Sequence, residues 1–174
     1  MSDLSRRIRD TVRDIKDFPE PGILFRDITP IFSEPRLCTE IIDEISRCFP
    51  AVDAIAGIEA RGFFFGMAVA QKLQIPFIPI RKSGKLPFET LQQSYDLEYG
   101  SATIEMHRDA LQPDWNVLIH DDILATGGTA EAAAKLVGQQ AHVGGFSFLM
   151  DLTLLNGISK LLPFDVQIHS LITY

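Results

Sequence analysis

The densest chemistry in the sequence lies between Val117 and Ala130. Asp121 and Asp122 stand side by side after an apolar run, and shortly beyond them comes Thr126-Gly127-Gly128-Thr129. Residues 117–120 read as a buried strand. Ala130-Glu131-Ala132-Ala133-Ala134-Lys135-Leu136 reads as a helix without a breaker, so the glycines occupy a strand-to-helix loop. Such a loop offers unpaired backbone N–H groups and the positive end of a helix dipole, which make an anion site, most simply a phosphate site. Two carboxylates beside a phosphate would repel it unless they face something else. Sugar hydroxyls or a divalent cation suit them, and a phosphate with neighbouring hydroxyls describes a phosphorylated sugar. The loop is not a Walker loop, since no Gly-Lys-Ser/Thr follows, and it lacks the spacing of a dinucleotide fingerprint. A well-capped strand–turn–helix without a ligand would explain the glycines but not the paired acids.

A second strand–loop–helix unit precedes it. Asp53 to Ile58 is apolar enough for a buried strand, and Glu59-Ala60-Arg61-Gly62 leads into a helix over 63–73. The loop carries an arginine, whose guanidinium fork matches anionic oxygens better than an ammonium does; a surface pair with Glu59 is the plainer alternative. Residues 75–80 form a third strand, parallel to the second because a helix separates them. Arg81, Lys82 and Lys85 follow at its C-terminal end, where open α/β sheets bind ligands. Residues 88–106 form an excursion with two extended arms, too long for a plain connection in a compact domain and of the kind that serves as a lid or a binding loop.

The remaining segments supply the frame. Leu4, Ile8, Val12 and Ile15 predict an amphipathic helix over 3–16 that ends before Pro19, Pro21 and Gly22. Residues 23–30 read as a short edge segment, 35–49 as a helix, 142–150 as a buried strand, 157–162 as a short helix and 166–172 as a last strand. The chain has 174 residues with a net charge of −7, which suits one domain that buries ~70% of its unfolded surface and disfavours nucleic acid. Neither a membrane-spanning run nor the apolar core of a signal peptide is present, which points to the cytoplasm. Cys38 and Cys48 are expected as reduced thiols. His107, His120, His142 and His169 have no metal-ligand spacing and receive no role.

The stretch from Val117 to Ala130 resembles the signature of the type I phosphoribosyltransferases, where it holds the 5-phosphate of 5-phosphoribosyl-1-pyrophosphate (PRPP). Further motifs, in order, are similar to the adenine-specific branch of that family: Phe-Pro-x-Pro-Gly-x-x-Phe-Arg-Asp-Ile-x-Pro from Phe18, Gly-x-x-x-Arg-Gly-Phe-x-Phe-Gly from Gly57, Arg-Lys-x-Gly-Lys-Leu-Pro from Arg81, and Ser-Tyr-x-Leu-Glu-Tyr-Gly from Ser94. The resemblance runs from Phe18 to about Leu152. It implies an α/β type I phosphoribosyltransferase fold: a central, mostly parallel twisted sheet flanked by helices, a small hood and a mobile lid loop. A single domain would span 1–174, with the hood largely in 1–33 plus C-terminal contributions and the lid at about 82–105.

The activity implied is transfer of the phosphoribosyl group of PRPP to adenine, giving AMP and pyrophosphate. Ala125, Thr126, Gly127, Gly128 and Thr129 would hold the 5-phosphate, and Asp121 and Asp122 the ribose hydroxyls. Arg61, Arg81, Lys82, Lys85 and Tyr99 would bind pyrophosphate, which carries Mg²⁺ without a direct protein ligand. Phe25 would stack on the base, with Leu24 and Arg26 offering backbone hydrogen bonds and Ile123 and Leu152 forming apolar walls. Asp151 stands where many relatives have Glu, a shorter reach. Glu98 is the implied catalytic carboxylate, through proton handling or electrostatic stabilisation. A non-proline cis peptide would fall at Glu59-Ala60, and one cation of 81–85 would reach a second subunit of a homodimer. Use of hypoxanthine or guanine would keep the PRPP half but change the hood, against which Phe25-Arg26-Asp27 argues. A PRPP-sensing regulator would need a DNA-binding domain for which neither room nor positive charge exists.

Overall fold

The computed structural model describes residues 2–96 and 100–174; Glu98 and Tyr99 lie outside them. The chain divides into two compact units, residues 1–44 and 45–174. In the first, helix α1 (Asp3–Thr11) starts at Ser2, whose side chain accepts the Ser5 N–H at 3.0 Å. It ends at Val12, which is extended, and Arg13–Lys16 becomes strand β1, paired antiparallel with β2 (Leu24–Asp27). The helix expected over 3–16 is therefore too long by its last third. Helical spacing continued through Ile15, but pairing of Ile15 with Phe25 and of Asp14 with Arg26 prevails over local propensity. Asp27 accepts both the backbone N–H and the hydroxyl of Thr29, each at 2.9 Å, at the start of a 3₁₀ turn (Thr29–Ser33). Ile8, Val12, Ile28, Ile31, Leu37 and Ile41 are this unit's buried apolar residues among those described; the last two lie on α2 (Pro35–Cys48).

The second unit is built on a seven-stranded sheet. Its strands are β3 (Ala54–Ile58), β4 (Phe77–Lys82), β5 (Thr90–Asp96), β6 (Ser101–His107), β7 (Asn116–Leu124), β8 (His142–Asp151) and β9 (Ile168–Thr173). In space the order is β5-β6-β4-β3-β7-β8-β9. The five strands from β4 to β9 run parallel, and β5 and β6 form an antiparallel hairpin that extends the sheet through β4. The two arms expected in the 88–106 excursion are this hairpin. Helix α3 (Gly62–Leu73) connects β3 to β4 and α4 (Gly128–Val137) connects β7 to β8.

Successive strand residues face opposite sides of the sheet, which sorts the core. Ala54, Ala56 and Ile58 of β3 join Val117 and Ile119 of β7, Phe146 and Phe148 of β8, and the alanine-rich α4 in one cluster. On the α3 side the backbones come close. A Cβ on Gly57 would lie 2.5 Å from the Phe77 ring, and one on Gly66 3.0 Å from the same ring. Two expectations shift by a few residues. β4 reaches Lys82, because Arg81 and Lys82 pair with Glu105 and Ile104 of β6, and β7 runs on through both aspartates to Leu124. The helix expected over 157–162 is a pair of 3₁₀ turns, Gly157–Lys160 and Leu162–Phe164, broken at Leu161 ahead of Pro163.

Phe146 is fully buried and packs against Phe148 and Phe164, with ring centroids 6.5 and 5.6 Å away. Phe146→Ala should lower the unfolding free energy by about 3–5 kcal/mol, read from urea denaturation. A loss below about 1 kcal/mol would mean that the cluster is not the core of this unit.

Candidate active site

Strand order reverses between β3 and β7: the chain moves outward one way through β4 and the other way through β8. Open α/β sheets bind ligands at such a switch point, beyond the carboxyl ends of the strands. The loop after β3 carries Glu59, Ala60 and Arg61, and the loop after β7 carries residues 125–127. The Glu59–Ala60 peptide is cis.

The β7 loop surrounds a hollow walled by residues 125–130, with Asp121 and Ile123 beside it. Gly127 has φ +78°, and a Cβ there would stand 2.4 Å from the Gly157 carbonyl oxygen; one on Gly157 would stand 2.2 Å from that of Ala125. Only glycine fits either place. The Gly157–Lys160 turn thus braces the loop from behind, a contact invisible in the local sequence. Gly128 and Thr129 open α4, whose first N–H groups lie at the hollow. Ile123 pairs with Met150. Leu152, just past the end of β8, donates its N–H to the Leu124 carbonyl at 2.9 Å, so these two expected base-wall residues lie on neighbouring strand ends.

Asp121 and Asp122 have different surroundings. The Asp122 carboxylate is 3% exposed, and Arg61 Nε stands 2.9 Å from it. Asp121 is half-buried, and its Oδ1 accepts the Asp122 N–H at 2.8 Å. Burial, then the charge of Asp122, pushes Asp121 well above the usual carboxylate range. Burial also raises Asp122, with Arg61 opposing it. Arg61 thus meets Asp122, which sits between two residues that line the hollow without lining it itself, rather than Glu59. Gly62 permits the approach, since a Cβ there would lie 2.7 Å from the His120 carbonyl oxygen. His120, buried under α3, is held neutral, with burial pushing its pKa down to about 4 against a weaker pull from the Ser147 backbone.

Two of the expected pyrophosphate cations, Arg81 and Lys85, converge on an acid that sequence reasoning considered only as a partner for Arg61. Glu59 accepts Arg81 Nε at 3.1 Å, the Lys82 N–H at 3.0 Å and Lys85 Nζ at 2.5 Å. Arg81 also donates to the Lys85 carbonyl. Beneath them, Glu105 accepts the N–H groups of Lys85 and Leu86 at 2.8 and 2.9 Å and the Gln92 amide at 3.2 Å. The Lys82 side chain is exposed at the end of β4. Asp151, nearly buried at the end of β8, has a carboxylate oxygen without a hydrogen-bond partner, and burial raises its pKa. Leu24, Phe25 and Arg26 lie in β2 of the first unit, where Arg26 pairs with Asp14 and the Phe25 ring meets Phe18 edge-on at 5.1 Å. The signal that could have exposed Glu59 was its place at the C-terminal end of a buried strand, four residues after Ile55 on the same apolar run.

The family model described as a phosphoribosyl transferase domain matches residues 29–141, which include the loop after β3 and the loop after β7. A protein from Cytophaga hutchinsonii named adenine phosphoribosyltransferase is 52% identical over 174 residues, covering 98% of this chain and 96% of its own. The crystal structure of adenine phosphoribosyltransferase from Rhodothermus marinus superposes with a TM-score of 0.92 at 45% identity, covering 98% of each chain. That from Saccharomyces cerevisiae, complexed with an imino-altritol bisphosphate and adenine, gives 0.91 at 39% identity, covering 98% of this chain and 99% of its own. The chain belongs to the adenine phosphoribosyltransferase family.

Glu59 and Glu105 yield a pH prediction. Burial alone would raise both, yet the hydrogen bonds they accept outweigh it and hold them below the usual 4.5. A carboxyl with a depressed folded pKa binds fewer protons in the native state. Its stabilisation is complete above about 4.5 and is lost as pH falls through the folded value. Asp121, Asp122 and Asp151 shift the other way, so the comparison must isolate one group. Glu105→Gln should lower the urea midpoint at neutral pH and flatten its decline below about pH 5. An acid limb identical to that of the parent protein would contradict an ionised Glu105.

Proposed function

We propose that this protein transfers the 5-phosphoribosyl group of PRPP to adenine, releasing pyrophosphate and forming AMP, a purine-salvage reaction. The observation that carries it is the braced loop of residues 125–129 beside Asp121 and Asp122, at the switch point of a chain about half identical to proteins named for that reaction. Backbone N–H groups of Ala125, Thr126, Gly127, Gly128 and Thr129, with the threonine hydroxyls, hold the 5-phosphate. Asp121 and Asp122 are assigned to the ribose hydroxyls on the motif resemblance, Asp121 from the side of the hollow and Asp122 while engaged by Arg61, and an ionised carboxylate at this end of β7 favours the cation-like sugar centre that develops as the bond to pyrophosphate breaks. Arg61, Arg81, Lys82, Lys85 and Tyr99 take the leaving pyrophosphate. Leu24, Phe25, Arg26, Ile123 and Leu152 are assigned to adenine on the motif resemblance. Glu98, which lies outside the described residues, is assigned on the motif resemblance to act at the base or on the developing charge.

Mg²⁺ fits as an ion carried by pyrophosphate oxygens and water. Asp122 is engaged by Arg61, and Glu59 by Arg81 and Lys85, so neither acid offers an uncommitted carboxylate cage. When bound, the ion offsets charge on the leaving group. A homodimer is the working form, supported by exposed Phe64 and Met67 on α3, apolar surface that a second copy would cover. The acidic, thiol-bearing chain is assigned to the cytoplasm. Among the described residues no helix is long and apolar enough to cross a membrane.

The deciding experiment offers adenine, hypoxanthine, guanine and xanthine separately with PRPP and Mg²⁺, and follows nucleotides by chromatography. AMP from adenine alone is expected. IMP or GMP would overturn the base assignment, and PRPP binding without product would make the protein a sensor. Glu98→Ala should reduce kcat by about a hundredfold or more while AMP affinity changes less than about threefold. Equal losses would remove Glu98 from the catalytic step.

A further inference from the structure

Tyr95, near the end of β5, connects the hairpin to the phosphate loop. Thr129 donates its hydroxyl to Tyr95 Oη at 3.2 Å. A Cβ on Gly128 would lie 3.5 Å from the Tyr95 ring and 3.6 Å from the Asp96 carbonyl oxygen, so β5 rests directly on the first turn of α4. The tyrosine ring packs against the core cluster of this unit, and its backbone pairs with Ala102 of β6. Ring and hydroxyl therefore have separate tasks, the first apolar packing and the second a single polar contact. Sequence motifs drew attention to Glu98 and Tyr99 of the same segment and left Tyr95 without a role.

The hydroxyl pair has a direction that an anion would reverse. A threonine hydroxyl carries one proton and can donate either to Tyr95 or to an anion in the hollow, but not to both. A tyrosine hydroxyl can also donate. With an anion present, Tyr95 would give its proton to a hydrogen bond on Thr129 Oγ1, and Thr129 would donate to the anion. We propose that Tyr95 is a positioning residue for the 5-phosphate, orienting the Thr129 hydroxyl as a donor into the loop and tying the stem of the lid hairpin to phosphate occupancy. This rests on the reading of residues 125–129 as the 5-phosphate site. Two hydrogen bonds in series polarise each other, and the second is available only if Oη is present.

Tyr95→Phe removes the hydroxyl and keeps the ring. Ribose 5-phosphate binding, measured calorimetrically on the full chain, should weaken about three- to tenfold, and the KM for PRPP should rise by a similar factor. The kcat at saturating PRPP and the KM for adenine should stay within about twofold. In a Thr129→Val background, Tyr95→Phe should have no further effect on ribose 5-phosphate affinity, because the relay is already broken. Unchanged ribose 5-phosphate and PRPP constants in Tyr95→Phe would overturn the proposal. So would parallel losses for adenine and PRPP with a lowered Tm, which would make the hydroxyl a packing element. If the parent protein itself fails to bind ribose 5-phosphate, the phosphate-loop reading falls first and this inference with it.

Discussion

Two carboxylates on consecutive residues of one strand, one of them almost wholly removed from water, repel each other and resist burial. Arg61 is what makes that arrangement tenable. At 2.9 Å from a carboxylate only 3% exposed, it acts as the partner of a buried charge rather than as a surface ion pair. The scales differ: an exposed pair is worth ~0–1 kcal/mol, whereas stripping one partner from a buried pair costs ~3–5 kcal/mol. The loop after β3 and the end of β7 are thereby held together by charge as well as by the strand ladder. Asp121, left on the side of the hollow, has a raised pKa, first because of burial and then because of the charge of Asp122 beside it.

That electrostatic contact needs steric permission. Gly62 lies so close to the backbone of His120 and Asp121 that no side chain fits, and Gly127 and Gly157 meet in the same way behind the phosphate loop. Three loops from distant parts of the sequence converge because each gives up a Cβ where they touch. The result is a braced loop whose backbone N–H groups would serve as the donors of the proposed phosphate site. Backbone donors are set by φ and ψ and lose no side-chain entropy when a ligand arrives, so the loop is preorganised in the sense that matters for a transition state.

Much of this was legible in the sequence where the signal is local. Asp121 to Thr129 announced a strand, acids and a helix start, and Arg61 announced a second loop of the same kind. What escaped was set by pairing between distant residues. Residues 13–16 kept helical spacing yet became a strand because 24–27 was available to pair with them. β7 ran through its two aspartates because β8 supplied partners as far as Asp151. Glu59 looked like a surface acid beside Arg61, and only the β4 and β6 neighbours show that it gathers Arg81 and Lys85 instead. The brace from Gly157 and the hydroxyl pair of Tyr95 with Thr129 join residues about thirty apart, beyond the reach of any periodicity.

The gathered cations also resolve a tension in the charge balance. A chain of net charge −7 repels a polyanion at long range, so its cations must be concentrated and correctly placed where one is to bind. Glu59 does both, fixing Arg81 and Lys85 beside the end of β3 while offsetting part of their charge. Arg81 and Lys85 are about a third and a half exposed, so solvent screens their pairs with Glu59 and makes each weak. In the proposed reaction a pyrophosphate brings more negative charge than one carboxylate and several more acceptor oxygens. Exchanging partners then costs little, while the cations have been spared the entropy of being found. In the proposed reaction a site built this way would hold its phosphate end with backbone and its pyrophosphate end with side chains on loan from an internal acid, which suits a reaction in which the first must stay and the second must leave.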